Sequence, residues 1–353
     1  MSKKVRVLSL DGGGIRGVIP ATVLVYVEQE LQKKSGNTNA RLADYFDFVA
    51  GTSTGGILGC FYLMPNTSGE PNAPIAKYTT SEALDFYVKR GYDIFNKSKR
   101  STWLGLRQLF NATQYNPKAL EDIFKEVFGE TKLNELLRKC LFTTYNMKVT
   151  APFFFDSREN PSKKREFYVR DVARSTSAAP TYFPPADIVN LATGEQMVNI
   201  DGGTFANDPT YTEARKTNFP EINQPTANDI LVLSIGTGGG QFQMKKLDNS
   251  SKWWVGKWAT YIPNIMMDGA LDTVTTQMRW LYDSVGEDKT NYLRVDVPDD
   301  YVKNYSSDMA DASPENIQKL QQAGQAAIDG AVKNGLDKLI DQLIESDPEK
   351  PNA

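Results

Sequence analysis

A serine flanked by small residues is the first group in this sequence that could act as a nucleophile. Residues 51–55 read Gly-Thr-Ser-Thr-Gly and fit the pattern GxSxG, in which small neighbours let the backbone turn sharply from a strand into a helix and present the serine hydroxyl. The mostly apolar residues 56–64 predict a buried helix, whose N-terminal amides favour negative charge near Ser53. Ser53 is therefore a candidate nucleophile, although a structural turn of small residues produces the same pattern.

The sequence contains no histidine among its 353 residues. This absence excludes a Ser-His-Asp triad, a Cys-His pair and any zinc site that uses histidine. If Ser53 is a nucleophile, the group that accepts its proton must therefore be a carboxylate or a lysine.

Two aspartates compete for the role of base. Asp201 ends a short predicted strand that begins at residue 197. The two glycines after it leave space around the carboxylate at a strand end, where active-site residues of α/β sheets commonly lie. Asp11 follows the predicted strand Val5–Leu10. We favour Asp201, because Asp11 immediately precedes a candidate oxyanion loop, where a carboxylate would oppose the charge being stabilised.

The glycine loop Asp11-Gly-Gly-Gly-Ile-Arg-Gly17 lies between a predicted strand and a predicted helix and has two chemical interpretations. Gly12, Gly14 and Gly17 satisfy GxGxxG, the fingerprint of a dinucleotide-binding turn, but the acidic residue that it requires at the end of the second strand is missing. Alternatively, the amides of Gly13 and Gly14 point at an oxyanion, because residues without a Cβ let a substrate carbonyl approach closely. A tight turn between strand and helix is the plain structural alternative.

The composition is that of an ordinary soluble protein, with 40% hydrophobic residues and a formal net charge of -3. This charge argues against a general nucleic-acid binder, which is expected to be basic. No signal peptide or transmembrane helix is visible near the N-terminus, so we expect a cytoplasmic protein with, at most, a peripheral membrane contact. Of the two cysteines, Cys60 lies in an apolar run and is expected to be a buried, reduced thiol.

Two aromatic stretches have more than one interpretation. Residues 95–115 interleave lysines and arginines with aromatic residues and could contact an anionic membrane surface, although a solvated loop anchored by its aromatic residues is the commoner explanation. Residues 253–267 belong to the most aromatic region of the chain and could line an acyl pocket, form a lid or reach an interface. Ordinary helix packing explains them equally well.

Apolar periodicity and capping residues predict the elements around these sites. Helices are expected from Pro20 to a cap at Gly36, over residues 81–92, 117–128 and 133–137, before Pro180, and from Ser313 onward. Further strands are expected over residues 141–149, 229–235 and 292–297.

Four ordered motifs together resemble the patatin-like phospholipase family. They are Asp11-Gly-Gly-Gly-Ile-Arg-Gly17, Gly51-Thr-Ser-Thr-Gly55, Ser177-Ala-Ala-Pro-Thr-Tyr-Phe-Pro-Pro185 and Asp201-Gly-Gly203. The resemblance implies a three-layer α/β/α fold with a central, mostly parallel sheet. It also implies a single domain over residues 1–353, with a motif core at 5–238, a variable aromatic-rich segment at 239–291 and a C-terminal helical region at 313–345.

The resemblance further implies an activity and the residues that perform it. Ser53 would be the nucleophile and Asp201 the base of a dyad that cleaves acyl esters, while Gly12, Gly13 and Gly14 would form the oxyanion loop. The expected enzyme is a phospholipase A or lysophospholipase, which acts on phospholipids or lysophospholipids and needs neither a cofactor nor a metal ion.

Arg16 lies next to this loop in the sequence, where it would either neutralise a lipid phosphate or form a structural ion pair. Two alternative functions stay open. One is a nucleotide-binding module that uses residues 12–17. The other is a ligand-activated effector, because some patatin-like bacterial enzymes degrade membranes only after a signal.

Overall fold

The computed structural model describes residues 4–69, 74–95, 115–158, 164–209, 226–239, 255–285 and 291–346. The strands in these ranges are β1 Val5–Leu10, β2 Phe48–Gly51, β3 Lys139–Asn146, β4 Ala151–Asp156, β5 Ala186–Val189, β6 Gln196–Asp201, β7 Ile230–Ile235 and β8 Tyr292–Val295. The helices are α1 Val18–Ser35, α2 Leu42–Tyr45, α3 Thr54–Leu63, α4 Thr80–Ile94, α5 Pro117–Phe128, α6 Val169–Thr176, α7 Val255–Val285, α8 Pro314–Lys333 and α9 Leu336–Glu345.

These strands pair into a sheet with the order β5-β6-β3-β2-β1-β7-β8, and β4 pairs with β3 as the second strand of a hairpin. The pairings among β3, β2, β1, β7 and β8 are parallel. The pairings of β3 with β4 and β6, and of β5 with β6, are antiparallel. All six residues of the central strand β1 are buried, as expected for a parallel strand that is covered on both faces.

Helices cover both faces of this sheet. Leu8 and Leu10 of β1 belong to a large apolar core that also contains residues of α1, α3 and α8. Val5 and Val7 alternate with them along the strand and therefore belong to the opposite face, where they share a smaller core with Met278 of α7. This arrangement confirms the predicted α/β fold with helical layers on both sides of a mostly parallel sheet.

The strand register brings two distant chain segments to the same level of the sheet. Gly51, the last residue of β2, lies opposite Phe142 of β3, and Asp201, the last residue of β6, lies opposite Thr144. Two residues beyond Gly51, the chain reaches about the level of Thr144 on the other side of β3. The fold therefore places Ser53 and Asp201 on the two flanks of β3.

Asp201 lies at the edge of the sheet where the parallel strands have their carboxyl ends, but for a different reason from the one that the sequence suggested. The carboxyl ends of parallel strands meet at one edge of a sheet, but β6 runs antiparallel to β3. Asp201 lies at the edge because β6 pairs with Thr144–Asn146, the last three residues of β3, and ends there. The point along β3 at which β6 ends, and not the direction of β6, gives the placement.

Capping residues explain why several predicted helices form where they do. α5 begins at Pro117, and α8 begins at Pro314 after the N-cap Ser313, whose side chain accepts a hydrogen bond from the Asn316 amide. α1 ends before Gly36, which has a left-handed φ of 71°. These boundaries confirm the predictions made from the same residues.

The strand predicted over residues 141–149 lies at Lys139–Asn146 instead, so it begins two residues earlier and ends three residues earlier than expected. β3 ends at Asn146, whose Oδ1 accepts a hydrogen bond from the Lys148 amide at 2.9 Å. Thr150 then takes a positive φ of 51°, and the chain returns as β4, a strand that the sequence did not reveal. A tight turn built on the Asn146 side chain therefore replaces the end of the predicted strand.

The helix predicted over residues 133–137 is a single 3-10 turn at Leu133–Glu135. The amide of Leu133 donates to the Phe167 carbonyl at 2.9 Å, and that of Leu137 donates to the Leu63 carbonyl at 3.0 Å. These bonds to neighbouring segments take the place of helical ones.

Some predictions fall outside the described residues. The residues between 96 and 114, the tryptophans at 253 and 254, and the tail beyond Ser346 are among them. The described part of the aromatic-rich stretch begins α7, in which Trp258 and Met266 are exposed and Met267 is buried. Within the described ranges, no helix has both the length and the apolar character that a membrane span requires.

Candidate active site

Ser53 lies on a sharp turn between β2 and α3. Its φ of 53° falls in the left-handed region, which a residue with a side chain adopts only at an energetic cost. β2 ends at Gly51 and α3 begins at Thr54, so the chain reverses within two residues. The partially positive N-terminal end of α3 therefore lies beside the Ser53 side chain, in the strand-turn-helix context that GxSxG predicts.

The glycines of this turn are required by close backbone contacts. A Cβ on Gly55 would lie 2.2 Å from the carbonyl oxygen of Leu10, and one on Gly51 would lie 2.6 Å from the carbonyl oxygen of Gly55. Backbone atoms cannot rotate away from such contacts as a side chain can. α3 therefore packs directly on the ends of β1 and β2, which holds the turn tight.

Two threonine side chains that the sequence did not single out fasten the turn. Thr52 Oγ1 donates a hydrogen bond to the Ala206 carbonyl at 2.7 Å and lies 2.7 Å from Thr143 Oγ1. Thr54 Oγ1 donates to the Tyr87 hydroxyl, which in turn donates to the Thr54 carbonyl at 3.1 Å. The turn is thus tied to β3, to the segment after Asp201 and to α4.

Asp201 lies beside Ser53 with 1% of its surface exposed, and both residues line the same pocket. Its Oδ1 accepts a hydrogen bond from the Gly203 amide at 2.7 Å. Oδ2 has no partner with normal hydrogen-bond geometry among the residues described. The Ser53 hydroxyl is close enough to lower the pKa of this carboxyl group, a looser contact of the kind that is common before substrate binds.

Burial makes Asp201 a stronger base than an ordinary aspartate. The loss of hydration raises its pKa from 3.8 to about 7, against the lowering effects of the Ser53 hydroxyl and the Gly203 amide. A carboxyl group that titrates near neutral pH can both accept and return a proton there.

Asp11, the competing carboxylate, is engaged elsewhere. It is completely buried and forms an ion pair with Arg294 of β8. Arg294 also pairs with Asp296 at 2.8 Å and lies 3.7 Å from Asp208. Burial raises the pKa of Asp11 although the guanidinium opposes this effect. The structure thus places Asp201, and not Asp11, next to Ser53.

The three glycines of the loop differ in what their amides contact. The Gly12 amide donates to the Asn207 carbonyl at 3.4 Å, and the Gly12 carbonyl accepts a bond from Thr237 Oγ1 at 2.8 Å. No described residue accepts a hydrogen bond from the amides of Gly13 and Gly14. Gly14 lines the pocket that contains Ser53. The amides of Gly13 and Gly14 are therefore the ones available to a ligand.

Arg16 is buried behind this loop. Its side chain is 5% exposed, and its Nε donates to the Gly13 carbonyl at 3.4 Å. It is not among the described residues that line the pocket with Ser53. Arg16 thus contacts the backbone of the loop at Gly13, and its role toward a lipid phosphate stays a prediction.

The pocket in front of Ser53, here called the Ser53 pocket, has mostly apolar walls and encloses about 50 Å³. Its described lining residues are Gly14, Ser53, Thr54, Ile57, Phe86, Tyr87, Ile94, Phe95, Leu120, Ser177, Ala179, Tyr182, Phe183, Asp201, Met267 and Met309. Such walls suit a hydrocarbon chain. The end of β2, where a dinucleotide site needs a carboxylate, is Gly51. Neither feature favours the nucleotide-binding alternative.

Sequence comparison with known proteins finds a family model and relatives that match most of the chain. A sequence model of the family described as "Patatin-like phospholipase" matches residues 8–213. The chain is 31% identical to "Patatin-like protein 2" of Oryza sativa subsp. indica, over 93% of this chain and 84% of that protein. It is 32% identical to "Patatin group J-1" of Solanum tuberosum, over 98% of this chain and 89% of that protein.

Among solved structures, VipD from Legionella pneumophila aligns over 92% of this chain and 67% of that one. The TM-score is 0.36 and the sequence identity is 13%, a similarity too low to bear on fold or function.

Proposed function

Since this chain belongs to the patatin-like phospholipase family and is therefore a lipid acyl hydrolase, we propose that it cleaves the carboxylic esters of phospholipids or lysophospholipids with Ser53 as nucleophile and Asp201 as base. One observation carries this proposal: a hydroxyl on a strained turn lies beside a buried carboxylate in an apolar pocket. The raised pKa of Asp201 supports its role, because a general base works best when it titrates near the operating pH.

In the first half of the reaction, the Ser53 hydroxyl attacks the ester carbonyl carbon while its proton moves to Asp201. The carbonyl oxygen becomes an oxyanion, and the amides of Gly13 and Gly14 are the proposed donors that stabilise it. When this intermediate collapses, the bond to the alcohol oxygen breaks and that oxygen takes the proton back from Asp201. The alcohol leaves, and the acyl group remains on Ser53.

In the second half, a water molecule gives a proton to Asp201 and attacks the carbonyl carbon of the acyl-enzyme. The same two amides stabilise the second oxyanion. Collapse releases the fatty acid, and the proton returns from Asp201 to the Ser53 oxygen. The apolar walls of the Ser53 pocket hold the hydrocarbon chain and limit the access of further water.

Mass spectrometry of the products from a mixed phospholipid extract tests this proposal. The wild type is expected to release free fatty acid, and Ser53→Ala and Asp201→Asn are each expected to reduce that release to the background level. Ser177→Ala is a matched control, because Ser177 lines the same pocket but its hydroxyl donates to the Ala173 carbonyl at 2.7 Å. It should retain most of the turnover.

The products also separate the two substrate classes. Accumulation of lysophospholipid alongside fatty acid indicates a phospholipase A, whereas its consumption indicates a lysophospholipase. Sustained fatty-acid release by folded Ser53→Ala or Asp201→Asn protein would refute the dyad.

A further inference from the structure

The C-terminal end of α6 contacts both residues of the proposed dyad. The Ser53 amide donates a hydrogen bond to Thr176 Oγ1 at 2.9 Å. The Asp201 amide donates to the Ala178 carbonyl at 3.0 Å. Thr176 and Ala178, which are separated by one residue, therefore bind the backbones of two residues that lie far apart in the sequence.

This connection is buried and is packed or hydrogen-bonded to its neighbours on both sides. Thr176 is completely buried, and its methyl group packs against α3 so closely that a Cβ on Gly56 would lie 2.9 Å from it. Ser175, the preceding residue, accepts a hydrogen bond from Asn199 of β6 at 3.1 Å. The end of α6 is thereby anchored to β6 two residues before Asp201.

The contact with Thr176 matters because of the conformation of Ser53. A residue held at a φ of 53° keeps that conformation only when its surroundings impose it. The hydroxyl of Thr176 is the acceptor that fixes the direction of the Ser53 amide, and this direction in turn sets where the Ser53 side chain points.

We propose that Thr176 is a positioning residue for the nucleophile: its hydroxyl orients the Ser53 backbone, and the 176–178 segment sets the separation between Ser53 and Asp201. This inference rests on the proposed function of Ser53. Thr176 is not among the described residues that line the Ser53 pocket. Its loss should therefore affect the chemical step and not the binding of substrate.

The test compares Thr176→Val, which keeps the shape of the side chain but removes the hydroxyl, with Thr176→Ser, which keeps the hydroxyl. Because a displacement of about 1 Å in an active site costs roughly a hundredfold in rate, Thr176→Val is expected to lower kcat about ten- to a hundredfold with KM changed less than about twofold. Thr176→Ser should stay within about threefold of wild type. Thr176→Ala serves in place of the valine variant if the latter does not fold.

Labelling of Ser53 by a fluorophosphonate probe gives a second readout that does not depend on the lipid substrate. The labelling rate of Thr176→Val should fall as kcat does, and the pH at which labelling is half-maximal should not fall below that of wild type, since a displaced Ser53 hydroxyl lowers the pKa of Asp201 less. Thr80→Val is the control for the loss of a buried threonine hydroxyl, because Thr80 Oγ1 donates to Glu28 Oε1 at 3.0 Å. It should be labelled at the wild-type rate.

Each outcome decides the proposal. Wild-type labelling rates in folded Thr176→Val or Thr176→Ala would overturn it, and so would a Thr176→Ser variant as slow as the valine variant. A wild type whose Ser53 is not labelled would overturn it together with the dyad. Rapid labelling of the wild type without lipid turnover would refute the proposed substrate alone, and the labelling rates of the variants would still decide the role of Thr176.

Discussion

The Oδ1 atom of Asp201 accepts a hydrogen bond from the Gly203 amide at 2.7 Å. This bond fixes the carboxyl group by one oxygen, so that Oδ2 is the atom that would take the Ser53 proton in the proposed dyad. It also opposes the effect of burial on the pKa, which nevertheless rises to about 7. The pH dependence of the enzyme should therefore report on this single carboxyl group.

We expect kcat/KM for ester hydrolysis to rise with pH along a limb with an apparent pKa of about 7. The reason is that only the ionised form of Asp201 can accept the Ser53 proton in the proposed dyad, and that kcat/KM reports the pKa values of the free enzyme. A rate profile between pH 4.5 and 9, measured with a soluble short-chain ester, checks this expectation. A profile that is flat from about pH 5.5 upward would show that Asp201 titrates as an exposed aspartate does and would count against its role.

The raised pKa of Asp201 should make the folded protein less stable as pH rises, although the same rise in pH increases kcat/KM. In the unfolded chain Asp201 titrates at its ordinary pKa of 3.8 and in the folded protein at about 7. Between these values the folded state binds more protons than the unfolded state, so the contribution of Asp201 to stability is lost as pH rises.

Asp201→Asn removes this titration. Relative to wild type, the variant should gain on the order of 2 to 3 kcal/mol of unfolding free energy between pH 5 and pH 8, because each pKa unit corresponds to about 1.4 kcal/mol. Urea unfolding of both proteins at the two pH values measures the difference. A difference that is the same at pH 5 and pH 8 would contradict the raised pKa.

The ion pair between Arg294 and Asp11 should be important for stability, because both side chains are at most 5% exposed. Arg294→Met leaves Asp11 buried without its partner, and removing one member of a buried pair typically costs about 3 to 5 kcal/mol of unfolding free energy. The double variant Asp11→Asn with Arg294→Met should recover part of this loss. Denaturant unfolding of the single and double variants provides the measurement.

A surface pair supplies the comparison for this experiment. Lys89 and Asp85 of α4 are more than half exposed, so Lys89→Met should change the unfolding free energy by less than about 1 kcal/mol. An Arg294→Met variant no less stable than Lys89→Met would show that the buried pair contributes little.

The glycine loop should not tolerate a side chain. In Gly13→Ala the new Cβ would lie 2.4 Å from Thr237 Oγ1, so the loop must shift and with it the amide proposed to bind the oxyanion. The loss of one such donor typically lowers kcat by about 10² to 10³. Initial-rate kinetics on the same ester as above give this value.

Gly36→Ala is the control for Gly13→Ala, because it also replaces a glycine but does not disturb the amides proposed to bind the oxyanion. Gly36 also has a positive φ, 71°, but no atom lies within 4 Å of its Cβ position. This variant should lose on the order of 1 kcal/mol of stability and keep its kcat. Equal kcat values for the two alanine variants would argue against an oxyanion role for the loop.

Local signals in the sequence were sufficient to predict much of the fold, and they also nominated the candidate site residues, whose roles stay predictions. The cap Ser313 and the glycines around Ser53 act on their immediate neighbours, so their effects can be predicted from spacing alone. The β3–β4 hairpin was missed because Thr150, which has a side chain, takes the positive φ at its turn. Turn prediction assigns such conformations to glycine or asparagine.

The supporting contacts of the site could not be predicted in this way. Thr176 meets Ser53 across 123 residues of sequence, and Arg294 meets Asp11 across 283. Each partner is an ordinary residue in its own segment, and only the order and register of the strands bring the pairs together. A single sequence carries no local signal for such contacts.

Ser53 and Asp201 lie on the two flanks of β3, so the two residues of the proposed dyad come from different halves of the chain. A polypeptide cut between β4 and α6 would give one fragment with the serine and the glycine loop and another with the carboxylate, Thr176 and Arg294. Neither fragment alone would hydrolyse an ester. Enzymatic turnover would thus serve as a complementation reporter, which gives a signal only when the two pieces have rejoined across the sheet.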